Sequence, residues 1–311
     1  MNPAGVLIVG AAGFVGRSLA ARLSSKGYKV FAISTRYPEG GYPEDIEYHV
    51  TSLDDEAVLQ KVLPQCNIVF YLASHSTPGY SAHQPSIEAE SNLLPCLRFL
   101  EILEKYKKIL MVYLSSGGAV YGNTFKELNT ENLPLKPLSY YGAGKAAIEK
   151  FLLAYQSQTQ NKILILRPSN LYGPGQTRKE GFGIIPTIFQ SIRDETSVTI
   201  WGNGETVRDY LYIDDFIELC MIILEKRTGP TLRRRIYNVG SGHGASLNTL
   251  ISLISEFTGV DIKREYLDSR GVDVDRNILD CSRLEQDYKW KAHCDLTEGL
   301  KVTWQWFTRN K

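Results

Sequence analysis

Apolar residues in this chain fall in short unbroken runs, separated by longer stretches where apolar and polar positions mix with helical spacing. The first run is Val6-Leu7-Ile8-Val9. A glycine-rich turn from Gly10 to Gly16 follows, then an amphipathic stretch, Ser18–Ser25, closed by Gly27. YKVFAIS predicts a second strand and completes a β-α-β unit of about 30 residues. Further runs of strand length are NIVFYLA (Asn67–Ala73), ILMVYLSS (Ile109–Ser116), KILILRP (Lys162–Pro168) and the late RIYNVGSG. Helical stretches occupy Leu93–Tyr106 and Gly142–Gln158, and helical spacing returns in the closing LTEGLKVTWQWF. Apolar strands alternating with helices predict an α/β fold, a doubly wound parallel sheet covered on both faces. The pattern loosens from about Leu171 to Arg208 and again from Gly242, where Gly, Pro and polar residues are more frequent.

Length and composition narrow the class further. At 311 residues the chain can bury a large core, in one domain or two intimate lobes. Hydrophobic residues make up 43% and charged residues 22%, ordinary values for a globular protein. A formal net charge of +1 offers no attraction to nucleic acid or a membrane surface, and Arg233-Arg234-Arg235 reads as a solvated loop. The five cysteines (Cys66, Cys96, Cys220, Cys281, Cys294) are scattered with no C-x-x-C pair, which argues for reduced thiols and against a zinc site. No leader pattern precedes Val6, and no apolar run has membrane-spanning length. A cytoplasmic protein with no membrane or nucleic-acid partner is expected.

Gly10, Gly13 and Gly16 give the turn after the first strand its chemistry. Gly10 permits the tight turn, Gly13 lets backbone N–H groups approach a pyrophosphate, and Gly16 allows close helix–strand packing. The helix N-terminus adds a positive dipole end. A dinucleotide site is expected here. The second strand ends in Ser34-Thr35-Arg36, with no acid before Glu39 to bind a ribose 2′-hydroxyl. Arg36 would pair instead with a 2′-phosphate, which favours NADP over NAD.

In SYYGAGKAAIEKF, Tyr141 and Lys145 stand four apart on one helix face. An ammonium beside a phenol favours phenolate, making tyrosine a usable general acid/base. Tyr140 has Gly144 in the corresponding position and lacks that partner.

With LSSGGAVYG, RPSNLYGPGQ, WGNGETVRDY, YNVGSG and TEGLKVTWQW in order behind these motifs, the chain resembles an extended short-chain dehydrogenase/reductase of the nucleotide-sugar epimerase/dehydratase family. The similarity spans nearly the whole sequence. It implies a Rossmann-type domain over residues 1–170, rejoined by 209–240, and a smaller discontinuous C-terminal substrate lobe from 171–208 and 241–311. It further implies that Gly10, Gly13, Phe14, Val15 and Gly16 hold the dinucleotide from one side. Arg36, Leu72, Ala73, Ser115, Tyr141 and Lys145 would complete that site.

The family's catalytic trio adds a Ser or Thr, usually four residues before the tyrosine of the VYG motif. Here that position is Gly117, four before Tyr121. Ser116 and Ser115 are the nearest substitutes, with Ser116 preferred, and Thr77 and Ser81 are candidates from the sugar side. The resemblance assigns Asn170, Arg208 and Arg270 to the substrate diphosphate, Trp201 to the nucleobase and Asp273 to ribose hydroxyls. Asn277 aligns with a residue limiting bulk at sugar C2, where its small size permits an N-acetyl group. Asp209, Asp214 and Asp215 read as a structural turn, and no metal site is expected.

These residues imply an NAD(P)-dependent 4-epimerase acting on a UDP- or dTDP-hexose, as in making surface-polysaccharide sugars, in a homodimer. Ser34-Thr35-Arg36 and Gly117 keep open an NADPH-dependent 4-keto-6-deoxy nucleotide-sugar reductase. A non-catalytic dinucleotide-binding protein is the third alternative, against which the intact Tyr–Lys pair speaks.

Overall fold

A computed structural model describes residues 5–38, 40–77, 79, 84–124, 126–178, 183–227, 234–269 and 274–309. In chain order its strands are β1 (Gly5–Val9), β2 (Val30–Ser34), β3 (Ile46–Val50), β4 (Cys66–Tyr71), β5 (Leu110–Leu114), β6 (Lys162–Pro168), β7 (Asn170–Tyr172), β8 (Val198–Trp201), β9 (Val207–Tyr212), β10 (Ile236–Val239), β11 (Gly244–Ser246), β12 (Arg264–Leu267) and β13 (Arg276–Asn277). The helices are α1 (Phe14–Ser25), α2 (Glu56–Val62), α3 (Pro85–Glu88), α4 (Leu94–Leu103), α5 (Gly117–Val120), α6 (Tyr140–Gln158), α7 (Ile184–Asp194), α8 (Ile213–Lys226), α9 (Leu247–Thr258), α10 (Ser282–Tyr288) and α11 (Leu296–Arg309). A π-helical stretch, Ala89–Leu93, joins α3 to α4.

The apolar runs of the sequence meet in one sheet of order β3-β2-β1-β4-β5-β6-β10, with every pair parallel. Alternate side chains feed opposite faces. Val6, Ile8, Ile68 and Phe70 join one core with Leu19 of α1 and Phe216 of α8. Leu7, Val9, Val69 and Tyr71 join the other with Phe99 of α4 and Leu152 of α6. Both faces of β1 are covered, which is why its sequence shows no alternation.

Strand order reverses between β1 and β4, and the crevice at their C-terminal ends is where such sheets bind ligands. α1 begins at Phe14, four residues before the helix legible in the sequence, because Gly13 in extended conformation acts as its N-cap. α6 likewise begins at Tyr140, where the Ser139 side chain caps it by accepting from the Gly142 amide at 3.1 Å. Tyr141 therefore sits in the first helical turn.

A second, smaller sheet is built around β9, which pairs with β7 and β13 in parallel and with β11 antiparallel. After β9 the chain returns to the larger sheet through α8, packed on α1, and β10 beside β6. Asp209 and Asp215 serve this construction. The buried Asp209 carboxylate accepts the amides of Ser241 (2.9 Å), Gly242 (3.2 Å) and Leu279 (3.3 Å), and Asp215 accepts those of His293 and Cys294. Among the described residues no helix is long and apolar enough to cross a membrane, and no group of three His, Cys, Asp or Glu could hold a metal ion.

Candidate active site

The glycine turn fits a pyrophosphate. Gly10 has φ +88°, and a methyl group there would lie 2.6 Å from the Ala73 Cα; one on Gly16 would lie 2.6 Å from the Gly10 carbonyl oxygen. Gly13 is different, since a methyl there would approach only the Gly10 oxygen at 3.3 Å. Gly10 and Gly16 are thus fixed by packing, while Gly13 keeps space for an approaching ligand. No side chain caps α1, so the first-turn amides around Phe14 and Val15 retain donors for an anion. Leu72 and Ala73 lie across the crevice at the end of β4, where the Leu72 amide donates to the Val9 carbonyl (2.8 Å). Arg17 of α1 reaches over to the Gly175 carbonyl (2.7 Å). Arg36 is exposed beyond β2, its carbonyl accepting from the Tyr48 hydroxyl. The Tyr42 hydroxyl donates to the Ala11 carbonyl and straps the following loop onto the glycine turn.

At the end of β5 the two serines have separate fates. Ser115 is buried and its hydroxyl donates to Glu149 Oε1 (2.5 Å). The Ser116 hydroxyl hydrogen-bonds the Tyr141 phenol. Gly117 has no room for a side chain, because a methyl would lie 2.6 Å from Leu279 Cδ1 and 2.8 Å from the Arg167 carbonyl. Its neighbour Gly118 has room for a methyl, which would make ordinary contact with Ser116 Oγ at 3.9 Å and Asn170 Oδ1 at 3.8 Å. Ser116 and Asn170 thus both border Gly118.

Lys145 is 3% exposed, donates to the Leu114 carbonyl (2.9 Å) and stands 5.7 Å from the Tyr141 ring centroid. Burial pushes the Tyr141 phenol up to about 12, the Ser116 hydrogen bond drawing it back and the Glu88 charge adding to the rise. Burial also pulls the Lys145 ammonium down to about 8, opposed by Glu88, Cys96 and Glu149. Desolvation is the largest cause of both shifts.

On the sugar side, Asn170 Nδ2 donates to the Asp209 carbonyl (2.9 Å), and its oxygen lies beside Gly118. Arg208 lies on β9 opposite Ala245 and Asn277, with Nη1 on the Val207 carbonyl (3.0 Å). Trp201 ends β8 with its side chain exposed, and Thr77 follows β4 on the crevice loop. Asn277 is 1% exposed and donates to the Gly117 carbonyl (3.0 Å), so it forms the floor beneath α5 rather than an open wall. Ser81, Arg270 and Asp273 lie outside the described residues.

Two groups escaped the motif reading. Arg167 and Glu149 form a buried bidentate pair, Nη2 to Oε2 at 2.5 Å and Nε to Oε1 at 2.9 Å, that also holds Ser115 and Tyr121. Buried Glu88 accepts from Ser76 and from Asn92 Nδ2 (3.0 Å), beside Gly144. The spacings Lys145–Glu149 and Glu88–Asn92, each four residues, were the available signals.

A glycine-cradled dinucleotide crevice with a Ser–Tyr–Lys set at its mouth defines an enzyme of the extended short-chain dehydrogenase/reductase class. A family model described as the NAD dependent epimerase/dehydratase family matches residues 6–240, and the chain belongs to that family. It is similar to a UDP-glucose 4-epimerase of Mycolicibacterium smegmatis, 28% identical over 98% of both chains. It is also similar to a dTDP-4-dehydro-6-deoxyglucose reductase of Escherichia coli, 27% identical over 95% of both. Among solved structures, the Thermus thermophilus UDP-glucose 4-epimerase complexed with NAD superposes with a TM-score of 0.89. It is 27% identical, covering 99% of this chain and 100% of its own.

Proposed function

We propose that the protein is a nucleotide-sugar 4-epimerase whose acid/base is Tyr141. The observation that carries this reading is the placement of Tyr141 in the first turn of α6, with Lys145 Nζ 5.7 Å from its ring centroid and Ser116 drawing its phenol down. Such a pair can take a proton from a sugar alcohol and return it, as a reversible epimerisation requires. An oxidised dinucleotide, when bound, would supply the hydride acceptor. Tyr141 then accepts the C4-hydroxyl proton while Ser116 orients that oxygen. Lys145 holds the nicotinamide ribose and adds its charge. Tyr141 returns the proton after the sugar has turned its other face. Asn170 and Arg208, with Arg270, bind the diphosphate, Trp201 lies against the base of a UDP- or dTDP-hexose, and Thr77, Ser81 and Asp273 bind sugar and ribose hydroxyls. Residues 171–208 and 241–311 form this substrate lobe. Similarity to epimerases over nearly the whole chain supports the assignment.

The exposed Arg36 favours NADP, because its guanidinium can pair with a 2′-phosphate and no acid stands at the end of β2. Arg36→Ala should weaken NADPH by about 1–3 kcal/mol and spare NADH. Equal losses, or a wild-type preference for NADH, overturn that choice. Free cysteines suit the cytoplasm. Exposed Leu94 of α4 and Phe151 of α6 suit a homodimer interface.

Incubation with UDP-galactose, followed by chromatography of the nucleotide sugars, tests the reaction. Epimerisation to UDP-glucose without net consumption of nicotinamide is expected. The second reading, a 4-keto-6-deoxy nucleotide-sugar reductase, is favoured by Arg36 and the reductase relative. Stoichiometric oxidation of NADPH by dTDP-4-keto-6-deoxyglucose, with UDP-galactose unchanged, would replace the first reading with the second.

A further inference from the structure

Glu88 is a buried carboxyl next to the reacting residues that the reaction itself does not use. Only 4% of it is exposed, at the end of α3 just before the π-helical stretch. Its two oxygens are held separately, Oε2 by the Ser76 hydroxyl and Oε1 by Asn92 Nδ2 at 3.0 Å. Asn92 is itself fixed, donating to Ser76 Oγ (2.9 Å) and accepting from the His75 amide (2.8 Å). Burial raises the Glu88 carboxyl above its ordinary value, while the Ser76 and Asn92 donors and the Lys145 charge draw it back toward the anion and aim it. A methyl group on Gly144 would lie 2.5 Å from both Glu88 Cγ and Oε1, so the carboxylate rests against the α6 backbone one residue before Lys145.

Lys145 needs such a neighbour. Its ammonium donates to the Leu114 carbonyl, and the Tyr113 ring centroid lies 5.1 Å from Nζ. The ionisable groups facing it are Tyr141 and Glu149 of α6, Glu88 of α3, Cys96 of α4 and Tyr113 of β5. Of these, Glu149 is engaged by the Arg167 guanidinium, which leaves Glu88 as the carboxylate without an arginine partner among those facing Lys145. We propose that Glu88 is a positioning residue, a locked anion against the start of α6 that keeps the Lys145 ammonium charged beside Tyr141. The inference rests on Tyr141 and Lys145 being the acid/base pair, and holds for either epimerase or reductase.

The test needs no sugar substrate. NADPH binding, followed by its fluorescence from about pH 6 to pH 10, reads the charge on Lys145. In wild type, affinity should fall as the ammonium deprotonates. Glu88→Gln should move that fall to lower pH by about one unit, the lower end of the shift a close opposite charge produces. Glu88→Asp should restore most of it, and Gly144→Ala, which displaces the carboxylate, should move it in the same direction as Glu88→Gln. Lys145→Met is the control and should abolish the fall. If Lys145→Met keeps the wild-type pH dependence, the lysine assignment fails. If Lys145→Met is flat while Glu88→Gln and Gly144→Ala both keep the wild-type midpoint, with only the melting temperature changed, Glu88 is structural and the inference alone is overturned. Should Glu88→Gln not fold, Gly144→Ala decides by the same midpoint.

Discussion

At the scale of single residues, the site divides hydroxyls that face the crevice from those that hold the fold. Tyr141→Phe removes the proton carrier and keeps the ring, so the rate should fall by about 100-fold or more with cofactor affinity little changed. Activity within a few-fold of wild type would remove Tyr141 from the mechanism. Wild-type activity should decline as pH rises through about 8, because the buried Lys145 ammonium loses its proton there; a flat profile to pH about 9.5 would contradict that. The two serines offer a paired comparison. Ser116→Ala takes away the hydroxyl on the phenol and should lower kcat by about 10-fold or more. Ser115→Ala should register in the melting temperature, at about 1–2 kcal/mol, because it strips a donor from buried Glu149. The reverse pattern would hand the catalytic hydroxyl to Ser115. The motif reading reached Ser116 by adjacency alone, whereas the cause of the departure at Gly117 lies in Leu279 and Arg167, far away in sequence.

At the scale of elements, the glycine turn contains two kinds of glycine. Gly10→Ala forces φ +88° on a residue with a Cβ and drives that atom into the Ala73 backbone, so it should destabilise the protein by about 1–3 kcal/mol. Gly13→Ala should melt close to wild type yet bind dinucleotide several-fold more weakly; calorimetry beside a binding titration separates them. Equal stability losses would mean that Gly13 too is a packing glycine. Arg167 pins β6 to α6 through Glu149. Arg167→Met leaves that carboxylate buried and unpaired, and should cost about 3–5 kcal/mol by chemical denaturation. A loss below about 1 kcal/mol would show that Glu149 finds another partner.

Elements buried on both faces were legible because an unbroken apolar run has few other uses. β3 was missed because Ile46-Glu47-Tyr48-His49-Val50 lies at the sheet edge, half in water, and lacks such a run. β7, β11 and β13, of two or three residues each, are set by distant partners rather than by their own composition. Glu88 was hard to single out for a related reason: beyond the Asn92 spacing, its neighbours Ser76 and Gly144 come from the loop after β4 and from α6.

At the scale of the whole molecule, motif order carried the family and its nucleotide-sugar chemistry, but not the assembly. α4 and α6 carry Leu94 and Phe151, 43% and 47% exposed. If two copies meet there, Phe151→Glu should convert a dimer to a monomer in sedimentation experiments, while Tyr37, 74% exposed near Arg36, should tolerate change. A wild-type monomer would end the proposal.

The floor of the site has a consequence for how the protein comes into being. Asn277 reaches back to Gly117, 160 positions earlier, and β9 waits for β11 and β13 to complete its sheet. The glycine turn needs only β1, α1, β2 and β4, all contained within Gly5–Tyr71. A chain emerging from the ribosome can thus close the dinucleotide cradle long before its sugar side exists, and contacts of such long range form late. Nascent chains arrested before residue 276 should capture nicotinamide dinucleotide while still blind to nucleotide sugar, leaving the cofactor as a template on which the final segment docks.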